Sequence, residues 1–336
     1  MSDSVRIAMV GCGAIAHWHL DAMDRAGVPM TVAAAVDPVS ANADRVADRT
    51  GGAPFASLND ALAVGGFDAA LIAVPHDRHE AVAMAALRAG LHVLLEKPLA
   101  PTLDACDRIL AVARSTRRVF MVAENAQYWP EIVTVRALID EGVVGEVVTA
   151  RAATFFPALG DFYGGDSPWR FDRVAAGGGV VIDTGSHWLR PLRMWLGEVD
   201  EVVAALGRPH PRMEGESLCR ALLRFGSGTI ATFDAMLTTG AIAPQPLFTV
   251  TGTTGELTVE GSGWVKLWDG HDWKGRKMGE RGGYLQSYEA ELTDFTSAVL
   301  QGTRPAAPAE YALGELRLAL AMYRSAASGR WEKVWE

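Results

Sequence analysis

The stretch Val5-Arg6-Ile7-Ala8-Met9-Val10-Gly11-Cys12-Gly13-Ala14-Ile15-Ala16 decides the fold. An apolar run of strand length enters a glycine turn, and a helical pattern follows as far as Ala26. Strand, G-x-G-x-x-A and helix, in that order, are what a dinucleotide-binding βαβ unit demands. The glycines permit a tight turn and a close approach of backbone to a pyrophosphate. The helix start offers N–H groups and a positive dipole end. Gly11, Gly13, Ala14, Ile15 and Ala16 are therefore candidate cofactor contacts. Residues 31–36 read as a second strand ending at Asp37, about twenty residues past the glycines, where an acid is wanted for a ribose 2′-hydroxyl. Pro38, Val39 and Ser40 follow, and no arginine appears before Arg45. A 2′-phosphate would meet the carboxylate without a nearby cation, which favours NAD over NADP.

The alternation continues outward. Ser40 is the expected cap of a helix over 40–49, and Ser57 of a short one to residue 64. Residues 67–74 form the fourth strand and end in Ala73-Val74-Pro75-His76. Proline can neither extend a helix nor donate to a ladder, so the chain turns there, at the carboxyl edge of the sheet where ligands bind. Ala73, Val74, Pro75, His76 and His79 are candidate cofactor contacts at that edge. A helix over 77–89, a fifth strand over 91–95, a helix from Pro101 to about 115 and a sixth strand over 118–123 complete a doubly wound parallel sheet. The fifth strand ends in Leu95-Glu96-Lys97-Pro98. Glu96, Lys97 and Pro98 thus fall beside the expected nicotinamide.

A chain of 336 residues is too long for one core, so two domains are expected, over 1–124 and 125–336. The net charge of −9 argues against nucleic-acid binding and against attraction to an anionic membrane. Cys12, Cys106 and Cys219 are odd in number and lack metal spacing, and they read as reduced thiols in a cytoplasmic protein. No metal ligand set is expected. The first residues carry an acid where a secretory signal carries bases, and no apolar stretch is long enough to span a membrane.

After residue 123 the pattern changes. Glu124-Asn125-Ala126-Gln127-Tyr128-Trp129-Pro130 is polar and aromatic, and Pro130 opens a helix to residue 141. Strands are expected over 146–156, 199–206, 217–225, 229–237, 248–253, 256–260 and 264–268. Several are joined by hairpin turns such as Gly226-Ser227-Gly228, and helices over 285–301 and 310–328 close the chain. This is an α+β domain with a large, mostly antiparallel open sheet. Asn125, Tyr128, Tyr163, Trp169 and Arg170 lie in its irregular stretches and are candidate site residues. The glycine cluster Gly177-Gly178-Gly179 then precedes Asp183 and His187. If residues 180–196 are helical, these two share one face. A lysine, a carboxylate and an imidazole on a nucleotide-binding fold form a proton-handling set.

The chain resembles the Gfo/Idh/MocA family of oxidoreductases over essentially its whole length. Glu96-Lys97-Pro98 matches that family's E-K-P motif. Gly177–His187 matches G-G-G-x-x-x-D-x-G-x-H, and Trp169-Arg170 matches the W-R that often precedes it. The resemblance implies that Lys97, Asp183 and His187 carry catalysis, that the Lys97–Pro98 bond is often cis, and that the second domain's sheet makes homodimer or homotetramer contacts. Trp169 and Arg170 join the cofactor-binding set on this reading, and Lys97, Asn125, Tyr128, Tyr163, Arg170, Asp183 and His187 the substrate-binding set. Asn125-Ala126-Gln127-Tyr128 stands where many polyol dehydrogenases of the family carry arginines, which argues against a substrate phosphate or carboxylate.

The expected reaction is hydride transfer between NAD and a secondary alcohol of a sugar, inositol-like polyol or glycoside. His187 would act as general base, Lys97 would stabilise charge on the substrate oxygen, and Asp183 would orient the site. Two alternatives are a glycosidase that recycles retained NAD, using Tyr163 or His76 as an extra base, and a non-catalytic sensor of NAD or sugar.

Overall fold

A computed structural model describes residues 4–157, 168–238, 246–261, 263–278 and 284–336. The chain divides into two compact units. One is the chain through Glu124 together with Tyr288–Leu313, and the other is Asn125–Ser287 with Gly314–Glu336.

The first unit runs β1 (Val5–Val10), α1 (Ala14–Ala26), β2 (Met30–Val36), α2 (Ser40–Thr50), β3 (Ala53–Phe55), α3 (Leu58–Val64), β4 (Ala69–Ile72), α4 (His79–Arg88), β5 (His92–Glu96), α5 (Leu103–Thr116) and β6 (Phe120–Ala123). The six strands are parallel, in the order β3-β2-β1-β4-β5-β6. Every residue of β4 is buried, as a strand covered on both faces requires, and this is why it reads as an unbroken apolar run. The strand order reverses between β1 and β4, and the residues just past them, Gly11 and Ala73, flank that switch point. Ser57 and Thr102 cap α3 and α5 by accepting the N–H of Asp60 and Ala105. Ser40, expected as a cap, is instead the first helical residue of α2.

The second unit contains α6 (Pro130–Asp140), β7 (Val147–Pro157), α7 (Arg173–Ala176), α8 (Ser186–Leu196), β8 (Val199–Gly207), β9 (Leu218–Phe225), β10 (Ile230–Thr238), β11 (Phe248–Gly252), β12 (Glu256–Val259), β13 (Trp264–Trp268) and β14 (Trp273–Lys277). α9 (Tyr284–Gln301) follows and from Tyr288 onward belongs to the first unit, and α10 (Leu313–Ser328) and β15 (Glu332–Lys333) complete the second. Its nine strands are ordered β14-β13-β12-β11-β7-β10-β9-β8-β15. Neighbours pair antiparallel except β7 and β10, which run parallel. β14 and β15 were not legible in the sequence. All five residues of β14 are exposed, so no alternation marks it, and β15 is two residues long.

By compactness the chain divides after residue 124, and a later stretch groups with the first unit. Residues Tyr288–Leu313 belong to the first unit. Tyr288 is buried, lying 6.3 Å from the Trp18 ring and 5.0 Å edge-on from His19. Arg25 pairs with Glu289 at 3.0 Å, and Pro308 bridges Met121 on the edge of β6. Among the described residues, no helix is long and apolar enough to cross a membrane.

Candidate active site

The glycine turn is built as a dinucleotide site requires. Gly11 has φ +88°, and a Cβ there would lie 2.4 Å from the Ala73 carbonyl oxygen. Only glycine allows β1 and β4 to close on each other at this point. Gly13, by contrast, is exposed with open space where a Cβ would stand, and no side chain caps the start of α1. The first N–H groups of α1 therefore have no capping side chain, as a phosphate-binding helix start requires. Ala14 and Ile15 are partly exposed beside them, and Ala16 is buried against the sheet.

Asp37 follows β2 as expected. Its Oδ2 accepts the Cys12 N–H at 2.9 Å and its Oδ1 accepts the Val39 N–H at 2.8 Å. The glycine turn thus fixes the carboxylate that a ribose would meet. Burial, helped by the Asp37 charge, pushes the Cys12 thiol up to about 12, so it packs as an inert thiol. The open glycine turn, the uncapped helix start and the held acid together fit NAD.

At the neighbouring strand end, Lys97 is partly exposed and its bond to Pro98 is cis. Glu96 is turned inward. Its Oε1 lies 2.8 Å from His19 Nε2, and its Oε2 accepts the Lys97 N–H at 3.2 Å. Glu96 therefore links α1 to the turn that carries the lysine. His19 gave no signal in the sequence, because a helical histidine on an apolar face looks like any core residue.

Two expected cofactor contacts are corrected. His79 is fully buried, with Nδ1 2.8 Å from the Pro98 carbonyl oxygen and Nε2 3.0 Å from that of Val74. Its ring ties the turn after β4 to the turn after β5 and has no surface to offer a ligand. His76 is 2 % exposed with its ring 5.5 Å from that of His79, so burial removes it as a cofactor contact or an extra base. Ala73, Val74 and Pro75 remain partly exposed at the sheet edge.

In the second unit, α8 begins at Ser186, later than expected. Asp183 therefore lies in the turn before the helix, and the expectation that it shares a helical face with His187 is corrected. The turn is tight. Asp183 N–H donates to the Gly179 carbonyl at 3.2 Å, Gly185 N–H to Val180 at 2.7 Å and His187 N–H to Thr184 at 3.3 Å. The glycine cluster has a specific neighbour. A Cβ on Gly179 would lie 1.9 Å from the Glu216 carbonyl oxygen. Val180 N–H donates to that same carbonyl at 2.8 Å, and Val181 N–H to the Glu216 carboxylate at 3.0 Å. Asp183 is 7 % exposed, and Arg170 Nε lies 3.2 Å from its Oδ2. The Arg170 guanidinium also sits 4.4 Å from the Trp169 ring centre. Arg170 and Trp169, expected at the cofactor, here hold the carboxylate.

His187 is partly exposed beside an aromatic corner, with Trp129 at 6.3 Å and Trp188 at 6.4 Å between ring centres. Asn125, an expected substrate contact, is 2 % exposed and donates its amide to Ser287 Oγ at 3.0 Å. Ser287 in turn donates to the Tyr284 carbonyl, so Asn125 anchors its segment to the start of α9 and is corrected as a substrate contact. Tyr128 is partly exposed on the same segment. Gln127 accepts from Arg190 Nη1 at 3.0 Å, and Arg190 is clamped by both oxygens of Glu315. Tyr163 lies outside the described residues.

Residues 5–124 match the family described as "Oxidoreductase family, NAD-binding Rossmann fold", and residues 132–258 match the "GFO/IDH/MocA C-terminal domain". Inositol 2-dehydrogenase of Corynebacterium glutamicum (strain R) is 34 % identical over 165 residues, 48 % of this chain and 49 % of that protein. The match thus spans about half the length of that relative. 1,5-Anhydro-D-fructose reductase of Ensifer adhaerens is 30 % identical over 275 residues, 78 % of each protein. The structure of levoglucosan dehydrogenase in complex with NADH and levoglucosan has a TM-score of 0.88 at 20 % identity, covering 99 % of this chain and 100 % of that one, a likeness of fold. With both halves matched and most of a curated relative aligned, the chain belongs to the Gfo/Idh/MocA family of oxidoreductases.

Proposed function

We propose that the protein is an NAD-dependent oxidoreductase acting on a secondary alcohol or ketone of a sugar, polyol or glycoside. The observation that carries this is Lys97, a partly exposed lysine at the carboxyl end of β5, two strands from the glycine turn, on a segment pinned by Glu96 and His79. NAD would be held by Gly11, Gly13 and the first turn of α1 at its phosphates and by Asp37 at a ribose. Ala73, Val74 and Pro75 would line the nicotinamide edge. Bound there, NAD supplies the hydride acceptor for alcohol oxidation or the donor for ketone reduction.

The remaining steps belong to side chains. In oxidation, His187 takes the hydroxyl proton as general base, and in reduction it returns that proton to the oxygen. Lys97 donates a hydrogen bond to the same oxygen and stabilises the negative charge that develops on it. Asp183, steadied by Arg170, accepts from the substrate's neighbouring hydroxyls. The rings of Trp129 and Trp188 beside His187 suit the C–H face of a cyclic sugar or inositol. The absence of arginine from Asn125–Tyr128 favours a neutral substrate over a phosphorylated or carboxylated one, and the activities named for the two curated relatives support a ring polyol or anhydro-sugar. The protein acts in the cytoplasm as a homodimer or homotetramer, and the open face of the nine-stranded sheet, with Leu222 and Ile230 exposed on it, supports that assembly.

A spectrophotometric screen tests the reading. NAD+ is offered with myo-inositol, levoglucosan, free sugars and glycosides, and NADH with 1,5-anhydro-D-fructose. Net NADH formation or consumption with one of them, lost in Lys97→Ala, is the expected result. Consumption of a glycoside with no net change in NADH would overturn the dehydrogenase in favour of redox recycling.

A further inference from the structure

We propose that Glu216 and Tyr323 are positioning residues that set the height and direction of the turn carrying Asp183 and leading to His187. The inference rests on the reading that those two residues act on the substrate.

Four hydrogen bonds make the case. Glu216 precedes β9 and Tyr323 lies on α10, both remote in sequence from the glycine cluster. Tyr323 Oη accepts the Gly179 N–H at 3.3 Å and donates to Glu216 Oε1 at 3.0 Å. Glu216 Oε1 also accepts the Val181 N–H at 3.0 Å, and its backbone carbonyl accepts the Val180 N–H at 2.8 Å. Three successive N–H groups, of Gly179, Val180 and Val181, are therefore all directed at these two residues. The next link reaches the functional carboxylate, because the Gly179 carbonyl accepts the Asp183 N–H at 3.2 Å. A shift at Gly179 is passed to Asp183 through one hydrogen bond.

The fit is steric as well as polar. A Cβ on Gly178 would lie 2.2 Å from Tyr323 Oη, and one on Gly179 would lie 1.9 Å from the Glu216 carbonyl oxygen. Gly178 and Gly179 are thus fitted to these two residues, while Gly177, at φ +79°, takes the left-handed conformation that closes α7.

An ordinary packing role would not place a carboxyl group here. Glu216 is 7 % exposed, and burying an acid is costly unless its oxygens are used. Burial pushes its carboxyl group above the usual range, and the bonds from Val181 and Tyr323 pull it back down. Burial and the neighbouring Glu216 keep the Tyr323 hydroxyl protonated, which fixes it as donor to Glu216 and acceptor from Gly179.

The test compares Glu216→Ala, Glu216→Gln and Tyr323→Phe with Lys97→Ala and His187→Ala. It uses the full chain, NAD+ and the panel compound that the wild-type protein turns over. Loss of the Glu216 acceptor is expected to lower kcat per folded molecule about 100-fold, and loss of the Tyr323 hydroxyl about tenfold, as small misplacements of a reacting group do. The glutamine keeps an oxygen acceptor at the Oε1 position, so it is expected to restore activity to within about threefold of wild type. Affinity for NAD+, followed by NADH fluorescence, should not change. A purely structural role would lower the melting temperature and leave kcat per folded molecule intact. Tyr323→Phe removes one oxygen atom and carries the test alone if Glu216→Ala does not fold. Wild-type kcat in Tyr323→Phe and Glu216→Ala, with Lys97→Ala and His187→Ala inactive, would overturn the inference and leave the site standing. Full activity in Lys97→Ala and His187→Ala would overturn the site itself and the inference with it.

Discussion

Arg170 Nε lies 3.2 Å from Asp183 Oδ2, with both side chains largely withdrawn from solvent. The planar guanidinium also rests on the Trp169 ring, so the carboxylate is held from a surface that is itself fixed. A lysine at this position would supply charge without the plane. Arg170→Lys is therefore expected to fold and to bind NAD+ normally while losing about ten- to a hundredfold in kcat, the scale of a misaligned reacting group. Steady-state kinetics beside a calorimetric NAD+ titration read both quantities.

The two glycines of the dinucleotide turn should behave differently. Gly11→Ala meets the Ala73 carbonyl and keeps a backbone angle that alanine resists, so it should lose about 2 kcal/mol or more of stability together with NAD+ binding. Gly13→Ala meets nothing within 4 Å in the protein. It should leave the melting temperature within about 2 °C while weakening NAD+ binding, because the added methyl group occupies ligand space. Thermal unfolding with and without NAD+ separates the two cases.

How far the sequence reveals this fold depends on the kind of signal. The parallel sheet is legible because strands buried on both faces read as apolar runs, and its glycine turn has a fixed place between β1 and α1. Ser57, Thr102 and Pro130 mark helix starts by local chemistry that tertiary packing leaves alone. The return of Tyr288–Leu313 to the first unit is illegible, because Tyr288 meeting His19 is a contact between residues far apart in the chain. The same reason hides Glu216 from the glycine cluster and His19 from Glu96. Asp183 and His187 were readable as residues, but their shared helical face was not correct. Spacing of four implies a helical face only where the backbone is helical, and α8 begins at Ser186, after Asp183.

His79 predicts a pH dependence. Burial lowers the pKa of its imidazole from the ordinary 6.5, while the carbonyls of Pro98 and Val74 and the charge of Glu96 pull it up and Lys97 lowers it further. As pH falls through 6.5 the unfolded ring takes a proton that the folded ring resists. The unfolded state then binds more protons, so stability falls as pH falls in that window. His79→Ala is expected to cost about 3 kcal/mol at pH 7.5 through lost packing and the one hydrogen bond that a neutral ring donates to a carbonyl. The difference in melting temperature between wild type and variant should shrink on moving to pH 5.5. A difference that grows on acidification would show that the folded ring is the protonated one.

The proposed assembly through the open sheet makes a further prediction. Leu222 is 41 % exposed on β9 and Ile230 is 42 % exposed on β10, one strand away. A buried interface would not accept a charge there, so Leu222→Arg combined with Ile230→Glu should reduce the mass seen by light scattering to that of one chain. The Rossmann half should still bind NAD+ in the dissociated variant.

Lys97 and His187 are proposed to serve one reaction on an alcohol supplied with NAD+. The most direct measurement is the rate of NADH appearance at 340 nm with the active polyol of the panel, in wild type, Lys97→Ala and His187→Ala. Each variant is expected to lose about 100-fold or more in kcat, the weight of an oxyanion donor or a general base, with NAD+ affinity unchanged. Wild-type turnover in both variants would contradict it.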